Sequence, residues 1–338
     1  MVPTSEIIDS SNLVFVHPTM PGIYRKGSPE NFYYVDKHGD RIKNEADLGR
    51  IKKLVLPPAW KDVWISPKKN GYLQATGIDV IGRKQYRYHA DWTSRRSDQK
   101  YFRLLEFGKA LPNARRQIAK DLRRANFDER KVLAICSEVM QKTLIRIGNE
   151  SYKKAYGSYG LSTLKDQHFK QNGTKTILSF IGKKGVKQEV ELNNKQLIKL
   201  VKQCKDIPGQ ELFQFYIQGS AHKAIDSGMI NNYIREITNC DFTAKDFRTW
   251  GGTLEALRQL ACFTKEYPEM SKKKVIVEVL DAVAYKLGNT RAVCKSSYVY
   301  PALIEAFEND KLTKYLKKIN TGNDEKVLLQ FLKETSKK

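Results

Sequence analysis

The chain has 338 residues and a mass of 38.9 kDa, with 60 Lys and Arg against 37 Asp and Glu, a net charge of +23. That length allows about two domains, and a composition 41% hydrophobic and 10% aromatic excludes wholesale disorder. The charge excess points to a polyanionic partner, either nucleic acid or an anionic membrane surface. No run approaches the ~18 apolar residues of a membrane-spanning helix. Met1 to Asn12 contains Glu6 and Asp9 and lacks a basic start and an apolar centre, so no secretory signal is expected. Cys136, Cys204, Cys240, Cys262 and Cys294 are odd in number, widely spread and without a Cys-x-x-Cys pair. Buried thiols in a reducing compartment are expected, rather than a disulfide framework or a zinc site.

Residues 1–105 read as a small β-rich domain. Short runs at Asn31 to Val35, Val63 to Ile65, Gly71 to Ala75 and Gln85 to His89 are separated by Gly, Pro and Asp. From Leu111 the pattern turns helical. Val132, Leu133, Cys136, Val139, Met140, Thr143, Leu144 and Ile147 repeat at the spacing of a buried helical stripe. Thr176 to Ile181 and Val186 to Leu192 flank Gly182-Lys183-Lys184-Gly185 and predict a hairpin. Helices are predicted at Asn194 to Cys204 and from the Thr243/Asp246 start signal towards Phe263. Further helices are predicted through Ile276, Leu280, Val283 and Leu287, then at Ser297 to Phe307 and Glu325 to Leu332. The terminal Ser336-Lys337-Lys338 is expected to fray.

Several segments have chemical potential. In Gly82-Arg83-Lys84-Gln85-Tyr86-Arg87-Tyr88-His89, a strand would put Tyr86 and Tyr88 on one face. Tyrosines beside cations suit phosphates, sugars and bases, and a half-buried edge strand fits the same pattern. Arg146 stands among apolar residues at a helix end, where its permanent charge requires either a carboxylate partner or a ligand. Lys183 and Lys184 sit at the hairpin tip. Lys245 and Arg248 are one turn apart near a helix start, where they fit an anion or a surface ion-pair network.

Taken in order, these segments resemble the type IB DNA topoisomerases of the small poxvirus-like and bacterial class. The resemblance rests on Ile145-Arg146-Ile147-Gly148 with Tyr152 six residues after the Arg, and on Ser162-Thr163-Leu164-Lys165-Asp166-Gln167-His168. It continues through Phe180-Ile181-Gly182-Lys183, Lys245-Asp246-Phe247-Arg248-Thr249-Trp250-Gly251, and Gly288-Asn289-Thr290 with Tyr298 nine residues after Asn289. Gly82 to Tyr88 also matches.

The resemblance implies an α+β protein in which a β-rich N-terminal DNA-binding domain (1–105) and a mostly helical catalytic domain (106–338, β-hairpin insert at about 161–192) close as a C-shaped clamp. It implies relaxation of positive and negative supercoils through transient single-strand cleavage, without ATP. Tyr298 is the implied nucleophile and forms a 3′-phosphotyrosyl link. Arg146 and Arg248 are implied at the phosphate oxygens, Lys183 as general acid with Lys184 as its rival, Lys245 as an assisting cation, and Asn289 as a hydrogen-bond donor. Arg83, Lys84, Gln85, Tyr86, Tyr88 and Tyr152 are implied DNA contacts. The implied partner is duplex DNA, with no membrane, no metal site and no required cofactor; Mg²⁺ is at most a stimulant. A monomer is expected, in a bacterial cytoplasm or nucleoid, or in the virion and host cytoplasm of a large DNA virus.

Two departures stand out. Asn289 replaces the poxvirus His and cannot exchange a proton. Asn149-Glu150-Ser151 replaces a basic stretch before Tyr152. A tyrosine recombinase would share the Arg, Lys, Arg and Tyr order, but usually carries His where this chain has Lys245 and has a helical N-terminal domain. A non-enzymatic DNA-binding protein would share the charge but has no need of the catalytic set.

Overall fold

In the computed structural model, residues 12–14, 16, 18–80, 82, 84–173, 175–217, 221–320 and 322–335 are described. The expectations for residues 1–11, for Arg83 and for residues 336–338 lie outside them. Two units divide the chain, residues 1–101 and 102–338. The first holds one antiparallel sheet in the order β2-β1-β3-β4-β5, made of β1 (Ile23–Ser28), β2 (Asn31–Val35), β3 (Lys61–Ile65), β4 (Leu73–Ile78) and β5 (Lys84–Tyr88). Ile23, Val63, Ile65 and Ala75 bury one face against Ile51 of helix α1 (Glu45–Lys53). The side chain of Asn44 caps α1 by accepting from the Asp47 N–H at 3.1 Å.

Four of the five strands match the predicted runs, β2 at both ends and β3, β4 and β5 with ends shifted by one or more residues. β1 and α1 were not expected. In Ile23-Tyr24-Arg25-Lys26-Gly27-Ser28 only the first residue is buried, so no alternation marks the strand. It is held by main-chain pairing with β2 from Tyr24↔Val35 to Ser28↔Asn31.

Helix α2 (Ala90–Leu122) begins 21 residues earlier than the pattern at Leu111 implied. Its first turns are polar, which hides a helical stripe from the sequence. Helix α3 (Glu129–Thr143) buries Val132, Leu133, Cys136, Val139 and Met140 as expected, and Asp128 caps it by accepting from the Lys131 N–H at 3.0 Å. The stripe does not continue to Ile147. Leu144 turns left-handed (φ 57°) and ends the helix, so Arg146 lies in a non-helical segment before α4 (Glu150–Tyr156).

A three-stranded sheet follows, β6 (Phe169–Asn172), β7 (Lys175–Ile181) and β8 (Lys187–Leu192). The predicted hairpin is β7–β8; β6 adds an edge that its polar sequence did not show. Helix α5 (Lys195–Lys205), a short ladder of β9 (Gln214–Tyr216) and β10 (His222–Ala224), and α6 (Ser227–Thr238) lead to the central pair. These are α7 (Ala244–Glu266) and α8 (Lys272–Leu287). α7 buries Phe247, Trp250, Leu254, Leu257 and Leu260; α8 buries Val275, Ile276, Val279, Leu280, Val283 and Leu287. At the start of α7, Asp246 accepts from the Thr243 N–H at 2.8 Å and from Thr243 Oγ1 at 3.0 Å. Asp246 also receives Arg103 Nε at 2.8 Å, which ties the cap to α2.

An unpredicted helix, α9 (Arg291–Ser297), comes next, and the helix predicted over Ser297 to Phe307 begins four residues later than expected, as α10 (Pro301–Glu308). Pro301 is pre-set for the first position of a helix but cannot continue one, so the chain breaks at Tyr298 to Tyr300. α11 (Thr313–Leu316) and α12 (Asp324–Thr335) close the unit.

Candidate active site

The end of α8 is the pivot. The last carbonyls of a helix lack intrahelical donors and carry the negative end of its dipole. Gly288 adopts φ 56° and stops the helix, leaving Leu287 O and Gly288 O exposed to partners. Arg248 of α7, only 4% exposed, donates through Nη2 to Leu287 O at 2.9 Å and through Nη1 to Leu144 O. Arg146 donates to Gly288 O at 3.1 and 3.2 Å and to Asn289 Oδ1. Two guanidiniums thus converge on one helix terminus, and among the described residues neither has a carboxylate partner. Burial, and for Arg146 also the neighbouring charge of Arg248, lowers their proton affinity below the ordinary arginine value. Both stay charged at neutral pH.

Asn289 has its orientation set by Arg146. Because Oδ1 faces the guanidinium, Nδ2 is the group left over, and it is buried without a hydrogen-bond partner. An unmet buried donor beside two cations suits an incoming anion.

Tyr298 caps the C-terminus of α9, its N–H donating to Cys294 O at 3.0 Å. Its carbonyl accepts from Thr253 Oγ1 at 3.1 Å. Gly252 allows this approach: a β-carbon there would lie 3.0 Å from Tyr298 O and 3.2 Å from Tyr298 Cβ. The Arg248 guanidinium carbon lies 5.0 Å from the centre of the Tyr298 ring. Burial alone would raise the phenol. The charge and the hydrogen bond of Arg248, followed by the charges of Arg146 and Lys245, outweigh it, so Tyr298 titrates below its ordinary value.

Lys183 is exposed in the turn between β7 and β8, where Lys184 takes the left-handed conformation (φ 66°). Lys183 lines the same cleft as Arg146 and Arg248; Lys184 does not. Lys245 is exposed in the first turn of α7, one turn from Arg248. The structure therefore brings Arg146, Arg248, Asn289, Tyr298, Lys183 and Lys245 to one region of the helical unit. It adds Lys286, which lines the cleft and donates to Glu255 at 2.5 Å, and Thr253 and Gly252, which seat Tyr298. Their only sequence signal is proximity to the motifs.

Tyr152, in α4, is 46% exposed, with its ring centre 5.9 Å from that of Tyr156. The departure before it has a structural role. Asn149 caps α4, accepting from the N–H groups of Ser151 (2.8 Å) and Tyr152 (3.3 Å), and Glu150 pairs with Lys153 at 3.1 Å.

In the N-terminal unit, Tyr86 and Tyr88 share a face of β5 as expected, their rings stacked at 6.1 Å and 11°. Tyr88 packs towards Tyr72 and Trp92, while Tyr86 is 49% exposed. The half-buried alternative therefore describes Tyr88, while Tyr86 leaves its ring open to solvent. Gln85 Nε2 donates to Asp79 at 2.8 Å, and Lys84 is exposed. Among the described residues, no group of three or more His, Cys, Asp or Glu could hold a metal ion, and no helix is long and apolar enough to cross a membrane.

Residues 89–326 match the family of the eukaryotic DNA topoisomerase I catalytic core, and residues 31–79 match the bacterial DNA topoisomerase IB N-terminal domain. The chain is 32% identical to DNA topoisomerase 1B of Acanthamoeba polyphaga mimivirus over 298 residues, covering 86% of this chain and 89% of that protein. It is 25% identical to DNA topoisomerase 1B of Vaccinia virus (strain Copenhagen) over 236 residues, 68% of this chain and 70% of the relative. The DNA topoisomerase I of Monkeypox virus is likewise 25% identical over 236 residues. With both parts of the chain matched and the catalytic-core match spanning most of its length, the chain belongs to the type IB DNA topoisomerases.

Proposed function

We propose that this enzyme relaxes supercoiled duplex DNA with Tyr298 as its nucleophile. The observation that carries the reading is the convergence of Arg146 and Arg248 at the end of α8 with the Tyr298 ring beside Arg248. The Tyr298 oxygen attacks the scissile phosphorus as its proton passes to solvent water. The bond from phosphorus to the 5′-oxygen breaks, and that oxygen takes a proton from Lys183. The products are a 3′-phosphotyrosyl link and a 5′-hydroxyl end. After the free strand swivels, the 5′-hydroxyl attacks back and restores both groups. One phosphodiester replaces another at each step, so no ATP is needed.

Charge on the non-bridging oxygens grows in the transition state. Forked guanidiniums answer it with fixed donors, and the unmet Asn289 Nδ2 supplies a third. Lys183 is preferred over Lys184 because it alone lines the cleft. Lys245 adds positive field beside the same phosphate. Lys84, Gln85, Tyr86, Tyr88 and Tyr152, with Arg83, contact the flanking duplex in this reading, Tyr86 and Tyr152 through exposed rings. The protein acts as a cytoplasmic monomer. No step requires a cofactor, and Mg²⁺ serves only to stimulate turnover. A recombinase reading gains nothing here: the N-terminal match is to a topoisomerase domain, and Lys245 stands where recombinases carry His.

The test is relaxation of positively and negatively supercoiled plasmid in EDTA without ATP; absence of relaxation refutes the reading. A second experiment checks the acid. Lys183→Ala should slow cleavage by about 10²–10⁴-fold. A 5′-bridging phosphorothiolate, whose sulfur leaves without a proton, should restore the rate. Failure to restore it removes Lys183 from that role.

A further inference from the structure

Gln188 lies between the two turns that carry Lys183 and Asn289. It pairs with Phe180 across the β7–β8 ladder and lines the cleft with Lys183, Arg146 and Arg248. On one side it packs on Gly182, where a β-carbon would stand 2.8 Å from Gln188 Cγ. On the other it packs on Gly288, where a β-carbon would stand 2.0 Å from Gln188 Oε1 and 2.7 Å from Gln188 Cδ. Real β-carbons do not approach other atoms so closely, so both contacts depend on glycine. Gly182 directly precedes Lys183, and Gly288 directly precedes Asn289. Gly288 O is also an acceptor for Arg146. Among the described residues the Gln188 amide donates to its neighbour Lys187 O alone, at 3.3 Å, so its main contribution is its shape.

We propose that Gln188 is a positioning residue that sets the gap between the lysine turn and the asparagine turn, and so aims Lys183 at the leaving 5′-oxygen. The inference rests on Lys183 being the general acid. Lys183 is exposed at a hairpin tip, and a long side chain without support there spreads over many rotamers. Proton delivery needs a heavy-atom separation of about 2.6–3.2 Å, and a misplacement of ~1 Å can cost ~10²-fold in rate. A filled wedge between Gly182 and Gly288 prevents that drift.

The experiment is single-turnover cleavage by Gln188→Ala, Gln188→Met and Lys183→Ala, each on ordinary DNA and on DNA with a 5′-bridging sulfur. Gln188→Ala should be slowed ~10–100-fold on ordinary DNA and should recover the wild-type rate on the sulfur substrate. Gln188→Met, which refills the wedge without the amide, should keep most of the rate on both. Melting temperature and non-covalent DNA affinity should not change; if Gln188→Ala fails to fold, the shorter Gln188→Asn carries the same comparison. A wild-type rate for Gln188→Ala on ordinary DNA overturns the inference. So does a Gln188→Ala defect that persists on the sulfur substrate while the Lys183→Ala defect disappears. If Lys183→Ala itself is not relieved by sulfur, the acid assignment fails, and the Gln188 inference falls with it.

Discussion

Tyr298→Phe should bind DNA as the wild type does and lose relaxation by at least ~10⁴-fold, because the oxygen proposed to form the covalent bond is gone. The substitution removes one oxygen and keeps the ring. The contacts that fix this residue are largely main-chain: its N–H to Cys294 O and its carbonyl to Thr253 Oγ1. Phe also keeps an aromatic face for the Arg248 guanidinium. The variant should therefore fold, and its defect reports chemistry alone. Denaturing gels should show a protein–DNA adduct for the wild type and none for Tyr298→Phe. An adduct that survives and maps to Tyr300 would move the nucleophile. Tyr300 is the poorer candidate, since its ring packs against Phe331 at 6.2 Å between centres.

The second large effect is expected from Arg248→Ala, and it is double. Loss of a preorganised donor should slow cleavage by about 10²–10³-fold. The same change strands Leu144 O and Leu287 O in the interior. Each unmet buried acceptor costs ~1–3 kcal/mol, so with two of them stability should fall by about 2–6 kcal/mol. That corresponds to a drop in Tm of roughly 4–24 °C for a unit of this size, readable by calorimetry. A pH effect separates the two roles. Arg248 is the foremost charge holding Tyr298 below its ordinary value. Its removal raises the phenol's pKa, so the rise of cleavage rate with pH should shift to more alkaline pH. An unchanged profile would disconnect Arg248 from the nucleophile and leave it a purely structural residue.

The candidate residues were legible in the sequence because each sits in a short motif, and the fold then gathers motifs far apart in the chain. What joins them was less legible. Arg146 read as a helical residue because the apolar spacing runs on past Thr143; the left-handed turn at Leu144 depends on Gly251 leaving room for the Leu144 side chain, a contact across more than 100 residues. β1 and the early part of α2 escaped notice because their side chains are too polar to show a period. The start of α10 was signalled by Pro301, yet the predicted helix ran back through Tyr298 to Ser297, and α9, whose sequence is mostly polar, gave no apolar stripe. Gln188 carries no signal at all in sequence, since one polar residue in an alternating strand resembles any other.

The resting partners of the two arginines have a consequence for heredity. Leu144 O, Leu287 O and Gly288 O belong to the main chain, and no codon change can delete them. The side chains of α8 can therefore drift as long as its buried stripe is kept. Its length cannot: one inserted or deleted residue rotates the terminus by about 100° and shifts it ~1.5 Å, which moves Leu287 O away from Arg248 and Gly288 O away from Arg146 together. Descendants of this gene should vary along α8 by substitution and keep its residue count, with gaps confined to the loops on either side.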